Sequence, residues 1–246
     1  MIVYRNDNIG VFLQTLLKLS TMENNDITNL VKLFHSHANP ENAMWMKKYM
    51  RNKFEYLGIK TPLRKNISKE FIKKCKNSDN KETTYIIKYF WELPQREFQY
   101  FAIDILTSQL KNINKETLNL YEYIILTKSW WDTVDNIACR LAGNYFKKFP
   151  EMIPTTNKKW INSDNIWLKR SALLFQLNYK KDTDTCLLFS NINKCSDSKE
   201  FFIQKAIGWV LREYSKTDAL IVKNFVNNNN LAPLSKREAL RLMIVN

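Results

Sequence analysis

From about residue 26 onward, apolar side chains recur at intervals of three and four, the signature of amphipathic helices. After Ser129, the residues Val134, Ile137, Leu141 and Tyr145 make one apolar stripe that should face a core. The stretch 201–214 is apolar nearly all round, so it reads as a central, buried helix. Several starts are marked. Thr61 before Pro62 suits an N-cap followed by proline at the first helical position. Ser129 with Asp132, and Ser235 with Glu238, have the capping-box spacing, and Asp197 with Glu200 is a looser version. Pro94, Pro150 and Pro154 stand where helices should begin or break. The pattern predicts ten to twelve helices of about ten to seventeen residues with short connections. The Asn227 to Asn230 run reads as a solvated helix end.

Composition sharpens this picture. Four glycines and six prolines in 246 residues are roughly a third of the usual share. Strand-rich folds need frequent turns built from these residues, so the shortage argues for an all-α chain. It also removes function classes, because neither GxGxxG nor GxxxxGK[ST] occurs. No strict repeat is visible. Many short helices of uniform composition still suggest an α-solenoid, with a compact bundle as the alternative. Residues 22–246 read as a single domain. Glu23 to Asp26 suit a helix start, and residues 1–21 read as an N-terminal extension or the product of an upstream start. No apolar stretch reaches membrane-spanning length.

The net charge is +14, spread along the whole chain. Such a surplus attracts polyanions, nucleic acid first and anionic membrane second. The four cysteines lack CxxC spacing and read as reduced, buried thiols of an intracellular protein. His35 and His37 have no cysteine pattern beside them, so neither a zinc site nor a histidine triad is expected.

Three segments could carry chemistry. On the helix after Ser129, Trp131 and Asp135 share a stripe with Ala138 and Ala142, small residues that would leave room before an indole and a carboxylate. Arg170 shares a stripe with Ile166, Leu173, Leu174 and Leu177. A cation there must be paired or snorkel. It can pair with Asp135, or present its planar fork to a phosphate. Lys205, Trp209 and Arg212 lie at i, i+4 and i+7, a pattern suited to a sugar-phosphate contact. Gly208 beside them implies a close approach by another element. Near the start, Trp45, Tyr49 and Tyr56 form an aromatic ridge among Lys47, Lys48, Arg51 and Lys53. Interleaved aromatic and basic residues suit nucleic acid, and ordinary packing with a solvated basic side explains them nearly as well.

At these segments the sequence resembles the AlkD-like branch of the DNA alkylation repair glycosylases. The strings that carry the resemblance include Lys48-Tyr49-Met50, Gly58-Ile59-Lys60-Thr61-Pro62, Ser129-Trp130-Trp131-Asp132-Thr133-Val134-Asp135, Asn165 to Arg170, Phe201 to Tyr214, and Leu231 to Glu238. The resemblance implies a right-handed α-solenoid of HEAT-like helical repeats with a concave basic face. It implies a monomer that takes double-stranded DNA carrying alkylated bases and releases 3-methyladenine and 7-methylguanine without metal or cofactor. It implies Asp135 as the catalytic carboxylate, with Trp131 and Trp209 as its aromatic partners and Arg170 on the phosphate beside the lesion. Tyr49, Thr61, Lys65, Arg212, Lys236 and Arg237 would contact the DNA. The chain departs from the family at Lys60, where glutamine is usual, so the contact to the opposite strand does not carry over. A binding-only helical scaffold and a single-strand or RNA binder are the competing expectations.

Overall fold

The structure is a computed structural model and describes residues 24–76 and 78–243. The expectation for residues 1–21 lies outside them. Among the described residues there is no β-strand, only one isolated bridge between Glu55 and Gln95. The all-α expectation therefore holds. The described chain divides into two compact units, one up to Asn114 and one from Lys115.

The first unit contains α1 (Asn24–Ser36), α2 (Pro40–Tyr49), α3 (Thr61–Cys75), α4 (Asn80–Glu92) and α5 (Arg96–Ser108). Its core is aromatic. Phe34, Phe90, Phe98 and Phe101 have no accessible surface, and Phe71 is buried against them. Phe90 meets Phe101 edge to face at 4.8 Å between centroids, and Phe34 stacks on Phe98 at 5.1 Å. Rings in these arrangements add to simple area burial.

The second unit contains α6 (Thr117–Leu126), α7 (Trp131–Asn136), a π-helical turn (Ile137–Ala142), α8 (Gly143–Lys148), α9 (Ile153–Ile161) and α10 (Ile166–Leu174). It continues with α11 (Thr185–Cys195), α12 (Phe201–Tyr214), α13 (Ala219–Asn228) and α14 (Pro233–Leu240). Val134, Ile137, Leu141 and Tyr145 are all fully buried, as their stripe predicts. The Asn-rich run does end a helix, with Asn229 donating its amide to the Phe225 carbonyl.

The cap expectations fare worse. Lys60, not Thr61, is the N-cap of α3, and it makes no side-chain cap bond. Ser129 turns back, donating to the Ile125 carbonyl at 2.6 Å, so α7 starts after Trp130 without a capping hydroxyl. Ser235 lies inside α14 and donates across to the Gln204 carbonyl of α12. In the last two cases a tertiary or preceding-helix acceptor outcompetes the local N–H groups. Several helices are also shorter than expected; α14 has eight residues. Cys75, Cys139 and Cys195 are buried free thiols, but Cys186 is exposed.

Candidate functional site

In the second unit, α7 runs into the π-helical turn directly after Asp135 and Asn136. A π turn widens the helix and frees backbone carbonyls, and such turns concentrate at functional sites. Here Asn178, beyond the end of α10, donates its side-chain amide to the Cys139 carbonyl at 3.2 Å. Tyr179 donates to the Gly143 carbonyl at 2.6 Å. A Cβ at Gly143 would stand 2.7 Å from the Phe175 carbonyl oxygen, so the glycine permits this close contact with the end of α10. Ala138 and Ala142 are fully buried. The expectation that they leave room before the carboxylate is therefore corrected: with no accessible surface, neither borders an opening.

Helix α10 is well started. The Asn165 side chain accepts from the Trp167 and Leu168 N–H groups, a regular N-cap. One turn later Arg170 is 4% exposed. Its Nε donates to Asp135 Oδ1 at 2.6 Å and its Nη2 to Oδ2 at 2.8 Å. Its Nη1 donates to the Phe202 carbonyl at the start of α12. Of the two readings open for Arg170, the structure shows the pairing with Asp135. The fork fixes the plane of the carboxylate. Burial pushes the Asp135 carboxyl above the usual aspartate range, while the hydrogen bonds and charge of Arg170 pull it back. The Asp135 side chain remains 16% accessible, so the group is not sealed in the core.

An aromatic cluster adjoins this pair through Phe202. Trp130, Trp167 and Phe202 lie within 5.7 Å of one another by ring centroids. The Arg170 guanidinium stands 5.9 Å from the Phe202 ring. Trp131 and Trp209 are both half-buried. Sequence reasoning passed over Trp130, Trp167 and Phe202. The two indoles and the Phe202 ring gave a composition signal, but the Phe202 carbonyl that Arg170 reaches is backbone and leaves no trace in side-chain pattern.

Helices α12 and α14 meet at Gly208. A Cβ there would lie 2.5 Å from Glu238 Cβ and 3.0 Å from the Ser235 carbonyl oxygen, which accounts for the glycine. Glu238 accepts from Lys205 at 3.0 Å and from Arg212 at 2.6 Å. The Lys205 hydrogen bond, joined by that of Arg212, holds the Glu238 carboxyl below the usual range against the opposing effect of burial. The two cations on either side of Trp209 thus share one carboxylate. Lys236 is half-buried and Arg237 exposed on the same helix.

In the first unit, Tyr49 ends α2 and is 71% exposed, and Trp45 is 56% exposed. Tyr56 instead reaches Tyr100, hydroxyl to hydroxyl at 3.2 Å, and does not extend the open ridge. Thr61 and Lys65 are exposed on the first turns of α3. The loop before them is held by Glu97, which is 1% exposed. Its carboxylate accepts from the N–H groups of Leu57, Gly58 and Ile59 at 2.8–3.1 Å. Gly58 has φ +84°, and a Cβ would meet the Asn39 carbonyl oxygen at 2.0 Å, so only glycine fits.

Among the described residues no helix is long and apolar enough to cross a membrane, and no cluster of three metal-ligating side chains occurs. Comparison with curated proteins finds no match. A solved structure described as a predicted DNA alkylation repair enzyme from Enterococcus faecalis is similar, with 32% identity and a TM-score of 0.81. The similarity covers 85% of this chain and 98% of that one. The model of the family described as DNA alkylation repair enzyme matches residues 30–243, and the chain belongs to that family.

Proposed function

We propose that this protein is a DNA glycosylase that hydrolyses the N-glycosidic bond of cationic alkylated purines, 3-methyladenine and 7-methylguanine, in duplex DNA. The observation that carries this reading is the Asp135 carboxylate, oriented by a two-bonded arginine yet still partly open to solvent. A purine alkylated at N3 or N7 already carries positive charge and leaves without a general acid. Its departure leaves an oxocarbenium-like sugar. One carboxylate stabilises that cation and orients water toward C1′, so a second carboxylate is not needed. A carboxylate has about four lone-pair positions. Arg170 uses two of them, leaving acceptor capacity for water. The indole faces of Trp131 and Trp209 add cation–π stabilisation of the same charge. Lys236 and Arg237, and Tyr49, Thr61 and Lys65 of the first unit, supply contacts to the DNA backbone.

The test is release of free methylpurine from alkylated duplex DNA by the purified protein. Asp135→Asn should abolish release and keep duplex binding. Release at the wild-type rate would refute the assignment.

The same ion pair favours one other reading, a DNA-binding scaffold in which Asp135 and Arg170 are structural. A pair this buried can serve to fix α7, α10 and α12 alone. That reading predicts duplex binding with no base released by the wild type.

A further inference from the structure

We infer that Glu238 is a specificity-determining residue that withholds Lys205 and Arg212 from DNA phosphates. The inference rests on the proposal that this chain binds duplex DNA. It goes beyond that proposal by taking two cations out of the phosphate-binding set.

The geometry has three parts. First, Lys205, Trp209 and Arg212 share one stripe of α12, so both cations flank the indole. Second, both converge on a single carboxylate, Lys205 Nζ on Oε1 and Arg212 Nη1 on Oε2. The Lys205 side chain is 36% accessible and that of Arg212 23%, against 13% for Glu238. The cations therefore reach the surface, while the carboxylate that holds them sits lower. Third, the carboxylate cannot drift away. Gly208 lets α14 approach to contact, and Ser235 Oγ is hydrogen-bonded to the Gln204 carbonyl at 2.9 Å.

A phosphate competing for either cation must displace Glu238, and it meets a fixed negative charge in doing so. Affinity for undamaged duplex comes almost wholly from counterion release by cations that reach phosphates. Holding Lys205 and Arg212 on Glu238 lowers that sequence-independent term. The DNA is left to Lys236, Arg237 and the chemistry-bearing side chains, and binding depends more on the lesion.

The experiment is the salt dependence of binding to an undamaged duplex, for wild type, Glu238→Gln, Glu238→Asp and Glu213→Gln. Each phosphate neutralised contributes about 0.9 to the slope of log K against log salt. Glu238→Gln should steepen the slope by between about one and two, and tighten binding at low salt, through both released cations. Glu238→Asp retains the charge and should return the slope toward wild type. Glu213→Gln makes the same charge change on α12, where the carboxylate pairs with Lys216 instead, and should shift the slope by less than Glu238→Gln. An unchanged or shallower slope for folded Glu238→Gln overturns the inference and leaves the enzyme reading standing. So does an equal shift for Glu213→Gln, which would mean bulk charge alone. If the wild type fails to bind duplex DNA, both fall. If Glu238→Gln does not fold, Lys205→Gln carries the test: a slope equal to wild type supports a withheld cation, and a slope shallower by about 0.9 refutes it.

Discussion

Replacing Gly208 by alanine asks how closely α12 must approach α14. In an exposed helix the change would stabilise by about 1 kcal/mol, since alanine is the better helix former. The structure reverses that sign. The new methyl would stand 2.5 Å from Glu238 Cβ and 3.0 Å from the Ser235 carbonyl oxygen, where carbon contacts settle near 3.5–4.0 Å. Neither obstacle is the flexible end of a side chain, so the two helices must part by about 1 Å. Overpacking of this kind costs about 1–3 kcal/mol. The same movement stretches the Ser235 to Gln204 hydrogen bond from 2.9 Å, forfeiting about 1 kcal/mol more. After the propensity gain is set against these, a net loss of about 1–3 kcal/mol remains. That corresponds to a fall in melting temperature of roughly 4–10 °C for a unit of this size. Thermal unfolding followed by circular dichroism, with urea denaturation as a check, measures it. A Gly208→Ala protein that melts at or above the wild-type temperature would show that the contact yields freely, and would remove the reason given for the glycine.

Two further outcomes follow from the site. If excision needs Asp135 ionised, the raised carboxyl places the acid limb of kcat/KM, which reports the free protein, above the range of an exposed aspartate. Arg170→Gln removes the groups that pull the carboxyl down, so the limb should move to higher pH; a limb that stays put or moves to lower pH would contradict the sign. In the first unit, Glu97→Gln exchanges one of the oxygens that hold the Leu57, Gly58 and Ile59 N–H groups for a donor. It should destabilise by about 1.5–3 kcal/mol in urea denaturation, and no measurable loss would mean that the loop before α3 is held by other contacts.

Much of the secondary structure was legible in the chain, because helical periodicity is local and survives without tertiary context. The stripe of Val134, Ile137, Leu141 and Tyr145 and the close approach at Gly208 were readable, whereas α12, apolar nearly all round in sequence, buries one face only and leaves Phe201 50% exposed. Caps were not. Ser129 and Ser235 carried the right spacing, but a hydroxyl takes whichever acceptor the fold brings nearest, and that was Ile125 in one case and Gln204 in the other.

The sequence by itself determined the class of fold, the positive surplus and the presence of Asp135, Arg170, Trp131 and Trp209 at helical spacing. Each of these depends only on residue type and on separation along the chain. Only the tertiary structure decided what the charges do. Arg170 and Asp135 are 35 residues apart in sequence, and they form a pair because α7 and α10 pack together with a π turn beside the carboxylate. Lys205 and Arg212 have the spacing of phosphate ligands along α12, and the fold brings Glu238 of α14 onto both. A charge's partner is set by distance in space, and no periodicity along a single helix encodes which carboxylate another helix will bring.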